Sequence, residues 1–263
     1  MSVEIFRRAL AVLEGGQPAV LVTVVAAEHA PREAGARMLV FPDGRTEGTV
    51  GGGALEQHAV QKAQELLQKG PSTLLEPHDL GDLGMLCGGR AVLFYEVLQA
   101  PPVLAICGAG HVGVLLARLA REATPWPIVL YDDRTERGEF VPPHVGFHPL
   151  PSYHEVPALT GHIYAVVATD SHAKDVQAVA AFLRQDPGPA YLGVLGSRTK
   201  ANALREKLLA LGFPQKKVEL MRCPAGLPLG GKDPGSIAVS ILAEILAYHH
   251  RSLPEAWAHF SRG

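Results

Sequence analysis

The chain has 263 residues, a formal net charge of −2 from 24 Lys+Arg and 26 Asp+Glu, and an apolar share of 47%. That much apolar surface excludes intrinsic disorder, and the near-neutral balance argues against a nucleic-acid binder, which carries a basic patch or stripe. Twenty-eight glycines and 21 prolines call for many turns and tight loops.

In chain order, residues 3–14 have helical periodicity with Val3, Phe6, Leu10 and Leu13 on one side. Residues 18–27 are β-branched and apolar and predict a buried strand. A second strand over 36–41 runs into the turn Pro42-Asp43-Gly44. Gly51-Gly52-Gly53 leads into a helix from about Ala54 to Lys69, and 90–98 predicts another strand. Gln99-Ala100-Pro101-Pro102 is a linker, because two prolines continue neither a helix nor a central strand. It divides a smaller N-terminal α+β domain, 1–99, from a C-terminal domain, 100–263.

Beyond the linker, strands at 103–107, 128–132, 163–169 and 191–195 alternate with helices at 111–122, 173–185 and 198–211. That alternation predicts an α/β domain, a doubly wound parallel sheet of the Rossmann type. Five prolines between 141 and 160 make that stretch mostly loop. The last helix, about 234–250, has Asp233 as N-cap and Pro234 at N1. Its apolar stripe is Ile237, Ile241, Leu242, Ile245 and Leu246, which packs on its own domain or forms a dimer face.

No apolar run reaches the ~18 residues that suggest a membrane span, and the first residues lack a secretory apolar region, so the cytoplasm is the expected location. Cys87, Cys107 and Cys223 form no CxxC pair and predict neither a disulfide framework nor structural zinc. Twelve histidines show no HxxxH or HxH spacing, and no metal site is read from them.

Gly108-Ala109-Gly110-His111-Val112-Gly113 is a GxGxxG directly after an apolar strand and opening a helix. The first glycine permits a tight turn, the second admits a phosphate to the backbone, and the third lets helix and strand pack closely. The next strand ends in Asp132-Asp133, about where an acidic residue meets a ribose hydroxyl. Arg134 suits a 2′-phosphate, whereas the aspartates argue against one. Both readings stand, as does the plainer one in which the glycines only shape the turn. His172 and Lys200 are the available proton donors for a dehydrogenase, but no recognised pairing marks them.

Three further glycine-rich loops stand out: 48–56, 84–89 and 223–232. Two of them feed helix N-termini, where backbone amides can converge on an anionic ligand. Cys87, followed by Gly88 and Gly89, has room around its sulfur and suits a thiolate ligand, a persulfide carrier or a nucleophile.

At these loops the sequence resembles the XdhC/CoxI-type accessory proteins of molybdenum hydroxylases such as xanthine dehydrogenase. The matching blocks are Thr23–Val25 through Pro31-Arg32, Gly35–Val40, Gly48–Glu56, Cys87–Gly89, Gly108–Gly113 with Asp132–Arg134, Gly196–Lys200, and Pro224–Leu227 with Ile237–Glu244. The resemblance implies a maturation factor that binds molybdenum cofactor or its dinucleotide form. Such a factor protects the cofactor during sulfuration and hands it to the apo-hydroxylase, with a cysteine desulfurase as a second partner. On that reading Gly51, Gly52, Gly53, Glu56, Cys87, Gly88, Gly89, Gly108, Gly110, His111, Gly113, Asp132, Asp133, Ser197 and Arg198 contact the cofactor, and Cys87 carries any thiol chemistry, in a cleft between the two domains. Family members often carry a cysteine in a Gly-Gly-Cys-Leu-Glu block where this chain has Ala54, so any thiol role of that position is lost here or falls to Cys87 alone. Two other readings stand beside it: an NAD(P)-dependent oxidoreductase acting on a small metabolite, and a non-catalytic nucleotide-binding interaction protein. Whether the chain is an enzyme is left open.

Overall fold

The computed structural model describes residues 2–14, 17–70, 72–84, 89–250 and 252. The chain separates into two compact units, Met1–Pro101 and Pro102–Gly263.

The first unit contains α1 (Ser2–Leu13), β1 (Ala19–Glu28), β2 (Arg37–Val40), β3 (Thr46–Gly48), α2 (Gly53–Lys69), β4 (Thr73–Asp79) and β5 (Arg90–Leu98). Its strands form an antiparallel sheet in the order β3-β2-β1-β5-β4. Side chains alternate across a strand, so β1, β2 and β5 each feed two cores. Val20, Val22, Val24, Met38, Leu93 and Tyr95 pack with Leu55, Ala59, Ala63 and Leu66 of α2. Ala19, Leu21, Leu39, Phe41 and Leu98 pack with Ile5, Ala9 and Val12 of α1.

This corrects the predicted face of the first helix. Val3, Phe6, Leu10 and Leu13 are exposed, and Ile5, Ala9 and Val12 meet the sheet. Helix α1 is apolar on two faces, and periodicity alone does not say which one docks. The short strands β3 and β4 escape sequence reading. β4 carries Glu76, Pro77, His78 and Asp79, and it tolerates the proline because it lies at a sheet edge.

The second unit contains β6 (Val103–Cys107), α3 (His111–Ala123), β7 (Ile128–Asp132), β8 (Gly146–Pro149), β9 (Ile163–Val167), α4 (His172–Arg184), β10 (Tyr191–Val194), α5 (Arg198–Ala210), α6 (Gln215–Val218), β11 (Met221–Arg222) and α7 (Pro234–His249). Short 3-10 turns occupy Thr135–Phe140 and Tyr153–Glu155. The six strands are all parallel, in the order β11-β10-β9-β6-β7-β8. Every residue of β7 and β9 is buried, as expected of a sheet covered on both faces. Ala105 and Cys107 face the layer of α4 and α5, while Leu104 and Ile106 face that of α3 and α7. The α/β class and doubly wound sheet are those predicted. Asp233 caps α7 through the Ser236 amide at 2.9 Å, with Pro234 in the first turn. The α7 stripe packs into the core of its own unit. β8 lies within the stretch expected to be loop, on the edge beside β7.

Candidate functional site

In a doubly wound sheet the ligand crevice opens at the carboxyl ends of the strands where chain direction reverses. Here that point lies between β6 and β9, which are neighbours in the sheet but lead into helices on opposite faces. The two strand ends approach closely, with the Ala168 amide donating to the Cys107 carbonyl at 2.8 Å. Gly108 is needed there: its φ is +111°, and a Cβ would collide with the Ala168 carbonyl. Gly113 is needed for a different reason, since a Cβ would be driven into the Gly108 carbonyl oxygen. Gly110 differs from both. Its φ is −78° and a Cβ would meet nothing within 4 Å. Its bare backbone caps α3 with no side-chain hydrogen bond, and the space around it is open.

That open space belongs to a cavity of about 330 Å³ lined by Ala109, Gly110, His111, Leu115, Arg118 and Arg137. Exposed His111 is the first residue of α3. Arg118 lies two turns further along the same face, and Arg137 comes from the turn after β7. Sequence reasoning singled out neither arginine, because the cavity joins them only in three dimensions. An amino-terminal helix end with open amides and two guanidinium groups nearby is a setting for a phosphate or diphosphate. At the same strand edge His172 begins α4 with both ring nitrogens buried and without a hydrogen-bond partner.

The acidic pair is tied into a network of its own chain. Asp132 is fully buried. Its carboxylate accepts from the Ala109 amide at 2.7 Å, the Arg134 amide at 3.0 Å, and Arg134 Nε and Nη2 at 2.8 and 3.0 Å. Burial alone pushes its pKa up, but the hydrogen bonds from Arg134 and from the two amides outweigh burial and hold it below the ordinary carboxylate value. With four donors on its two oxygens, Asp132 fixes the glycine loop. Asp133 pairs with Lys174 at 2.8 Å, Lys174 with Asp170 at 3.0 Å, and Asp170 with Arg134 at 3.1 Å. Arg134 is likewise committed to this chain of ion pairs.

Lys200, a candidate proton donor by sequence, pairs with fully buried Asp175 and donates to the Leu195 carbonyl at 2.8 Å. Thr169 Oγ1 donates to the other Asp175 oxygen at 2.6 Å. Ser197 caps α5, its hydroxyl accepting from the Lys200 amide at 3.2 Å, and Arg198 stands exposed in the first turn. The loop 223–232 is pinned at Gly226, while residues 228–232 are exposed. Gly226 donates its amide to Glu244 at 2.7 Å, and a Cβ on it would collide with Ser240 Oγ. Cys107 and Cys223 are buried, and burial raises both thiol pKa values.

In the first unit, Gly51, Gly52 and Gly53 all have positive φ, at +145°, +77° and +59°. Glu56, expected to contact a ligand, is turned onto its own loop. One carboxylate oxygen accepts from Thr49 Oγ1, from the Val50 amide at 3.2 Å and from the Gly52 amide at 2.9 Å. The anion held by this nest of amides is therefore the protein's own. Gly89 packs so tightly against β1 that a Cβ would meet the Glu28 carbonyl oxygen at 2.6 Å. Cys87 and Gly88 lie outside the described residues.

The family pattern described as the XdhC Rossmann domain matches residues 104–245, and that of the XdhC and CoxI family matches residues 12–76. The chain belongs to the XdhC/CoxI family. Among curated relatives, an uncharacterized protein YqeB of Escherichia coli is 28% identical over 92% of this chain, which spans only 46% of that protein's length. The molybdenum cofactor insertion chaperone PaoD of Escherichia coli is 29% identical over 92% of this chain and 86% of its own length. A solved structure titled a xanthine dehydrogenase from Bacillus halodurans has a TM-score of 0.46 and 18% identity, covering 92% of this chain and 94% of that one. Its likeness is too distant to bear on function. Among the described residues, no helix of this XdhC/CoxI protein is long and apolar enough to cross a membrane.

Proposed function

We propose that this protein binds molybdenum cofactor, or its dinucleotide form, and delivers it to an apo molybdenum hydroxylase. The observation that carries the reading is the amino end of α3. Gly110 leaves it uncapped by any side chain, and it opens on a cavity flanked by Arg118 and Arg137. The cofactor's phosphate or pyrophosphate suits such a place, where backbone amides, the helix dipole and guanidinium groups all favour negative charge. Membership of the XdhC/CoxI family and the PaoD relative, named a cofactor insertion chaperone, support the same reading.

Within this reading, Gly110 and His111 contact the phosphate directly, with Gly108 and Gly113 shaping the turn that presents them. Asp132 and Asp133 act indirectly, by tying the loop to Arg134 and Lys174. Glu56 fixes the shape of the Gly51–Gly53 loop by accepting from its amides. Sulfuration with a cysteine desulfurase as partner belongs to the same proposal, and Cys87 is the thiol assigned to it, since Cys107 and Cys223 are buried.

The test is anaerobic mixing of the purified protein with molybdenum cofactor, followed by gel filtration and assay of molybdenum and pterin in the protein peak. Wild type is expected to retain both, and Gly110→Val and Arg137→Ala to lose most of that retention with the fold unchanged. Equal retention by all three proteins would overturn the assigned phosphate site. Absent retention by wild type together with tight NAD(P) binding would overturn the function and favour the oxidoreductase.

A further inference from the structure

A second cluster of chemistry lies in the first unit, between α2 and the edge of its sheet. His58 comes from α2, while Glu76 and His78 stand two apart on β4 and so share one face of the strand. His58 Nε2 and His78 Nε2 both lie 3.5 Å from the same oxygen, Glu76 Oε2. All three atoms are buried and none has a hydrogen-bond partner. His78 is 8% exposed, at the margin of an apolar core that includes Leu55, Ala59, Leu80, Ala91 and Leu93.

This arrangement does not suit direct hydrogen bonding. Two imidazoles donating to one carboxylate oxygen would close to about 2.7–3.0 Å. Instead, both nitrogens stand off at a separation close to the edge of a tetrahedron around a metal, about 3.4 Å for ligand bonds of about 2.0–2.1 Å. The three donor atoms lie within 4.8 Å of one another, so one ion can reach them all. Tyr95, on the neighbouring strand and fully buried, carries its hydroxyl beside Glu76, where it can orient the carboxylate as an outer-shell partner. The nearest cation on α2, Lys62, is paired with Glu65 at 3.1 Å.

We infer that His58, Glu76 and His78 form a binding site for a divalent first-row transition metal of the zinc class. Two imidazoles and one carboxylate are a ligand set for such ions, and three protein ligands leave a coordination position for water or an incoming donor. His58 and Glu76 are about one-third and one-quarter exposed, which gives the ion a route from solvent. The site is built wholly from residues of the first unit, whereas the glycine loop before α3 belongs to the second, so its test does not depend on cofactor binding.

The experiment uses the full chain, stripped with a chelator and titrated with Zn²⁺, and in parallel with Co²⁺ as a spectroscopic probe. Wild type is expected to bind one equivalent of Zn²⁺, to show the visible bands of low-coordinate cobalt, and to melt at higher temperature with zinc than without. His58→Gln and Glu76→Gln, at partly exposed positions, are expected to keep the fold by circular dichroism. Their affinity should fall at least about 100-fold, more than an outer-shell change alone costs. His78→Gln should lose binding as well. Absence of binding to wild type, or unchanged affinity in folded His58→Gln and Glu76→Gln, would overturn the site.

Discussion

The backbone amide of Ala109 donates to Asp132 Oδ2 at 2.7 Å, joining the glycine turn after β6 to the end of β7. The same carboxylate holds the Arg134 backbone and side chain. Asp132 thus fixes the glycine turn. Replacing it with alanine strands a buried amide and breaks a charged hydrogen-bond set. Asp132→Ala is expected to cost about 3 kcal/mol, read as a lower urea midpoint.

The same residue sets an acid dependence. Its folded-state pKa lies below the ordinary value of 3.8. The unfolded chain therefore takes up the proton first as pH falls. The stabilisation from ionised Asp132 is fully present above the unfolded pKa and is lost as pH falls through it towards the folded pKa. Unfolding free energies measured from pH 6 to the acid limit should fall less steeply below about pH 4 in Asp132→Asn than in wild type.

Gly110 and Gly113 should respond oppositely to the same substitution. Gly113→Ala forces a Cβ into the Gly108 carbonyl, so loss of the native fold, or a large drop in melting temperature, is expected. Gly110→Ala adds a methyl to open space at an ordinary φ, so its stability should stay within about 0.5 kcal/mol of wild type. Any loss of cofactor retention in that variant then reports on the ligand rather than on the fold.

Lys200→Met leaves the Asp175 carboxylate fully buried without its cation. Removing one member of a buried pair costs about 3–5 kcal/mol. The double variant Lys200→Met with Asp175→Asn should recover part of that loss, and a double-mutant cycle from chemical denaturation measures the coupling.

Glu56→Ala frees the Val50 and Gly52 amides and should destabilise the first unit by about 1–3 kcal/mol, with faster amide exchange over residues 49–53. Glu56→Gln retains the accepting oxygen and should fall nearer to wild type.

Much of the fold is legible because it is written in local pattern. The β-branched runs at β1, β6 and β9 and the Asp233-Pro234 start of α7 each carry their signal within a few residues. The edge strands β3, β4, β8 and β11 do not. They are short or polar, and they exist because a neighbouring strand supplies their hydrogen bonds. In α1 the apolar pattern was visible but its docking face was not, since Phe6 and Ile5 are equally apolar and only the sheet distinguishes them.

The site divides in the same way. The glycine turn is visible from Gly108 to Gly113 because backbone sterics demand glycine at both ends. Arg118 and Arg137 enter only through a shared cavity. Glu56 and Asp132 look like ligand contacts in the sequence, and the structure adds that each also accepts backbone amides of its own loop.

The sequence by itself determined the alternation of strands and helices and the glycine turn, since period, propensity and backbone sterics act over a few residues. Only the tertiary structure decided which carboxylates accept backbone amides, which helix end stays open, and that His58, Glu76 and His78 meet. Those outcomes depend on hydrogen-bond partners and burial, and both are set by residues that folding brings together from distant parts of the chain.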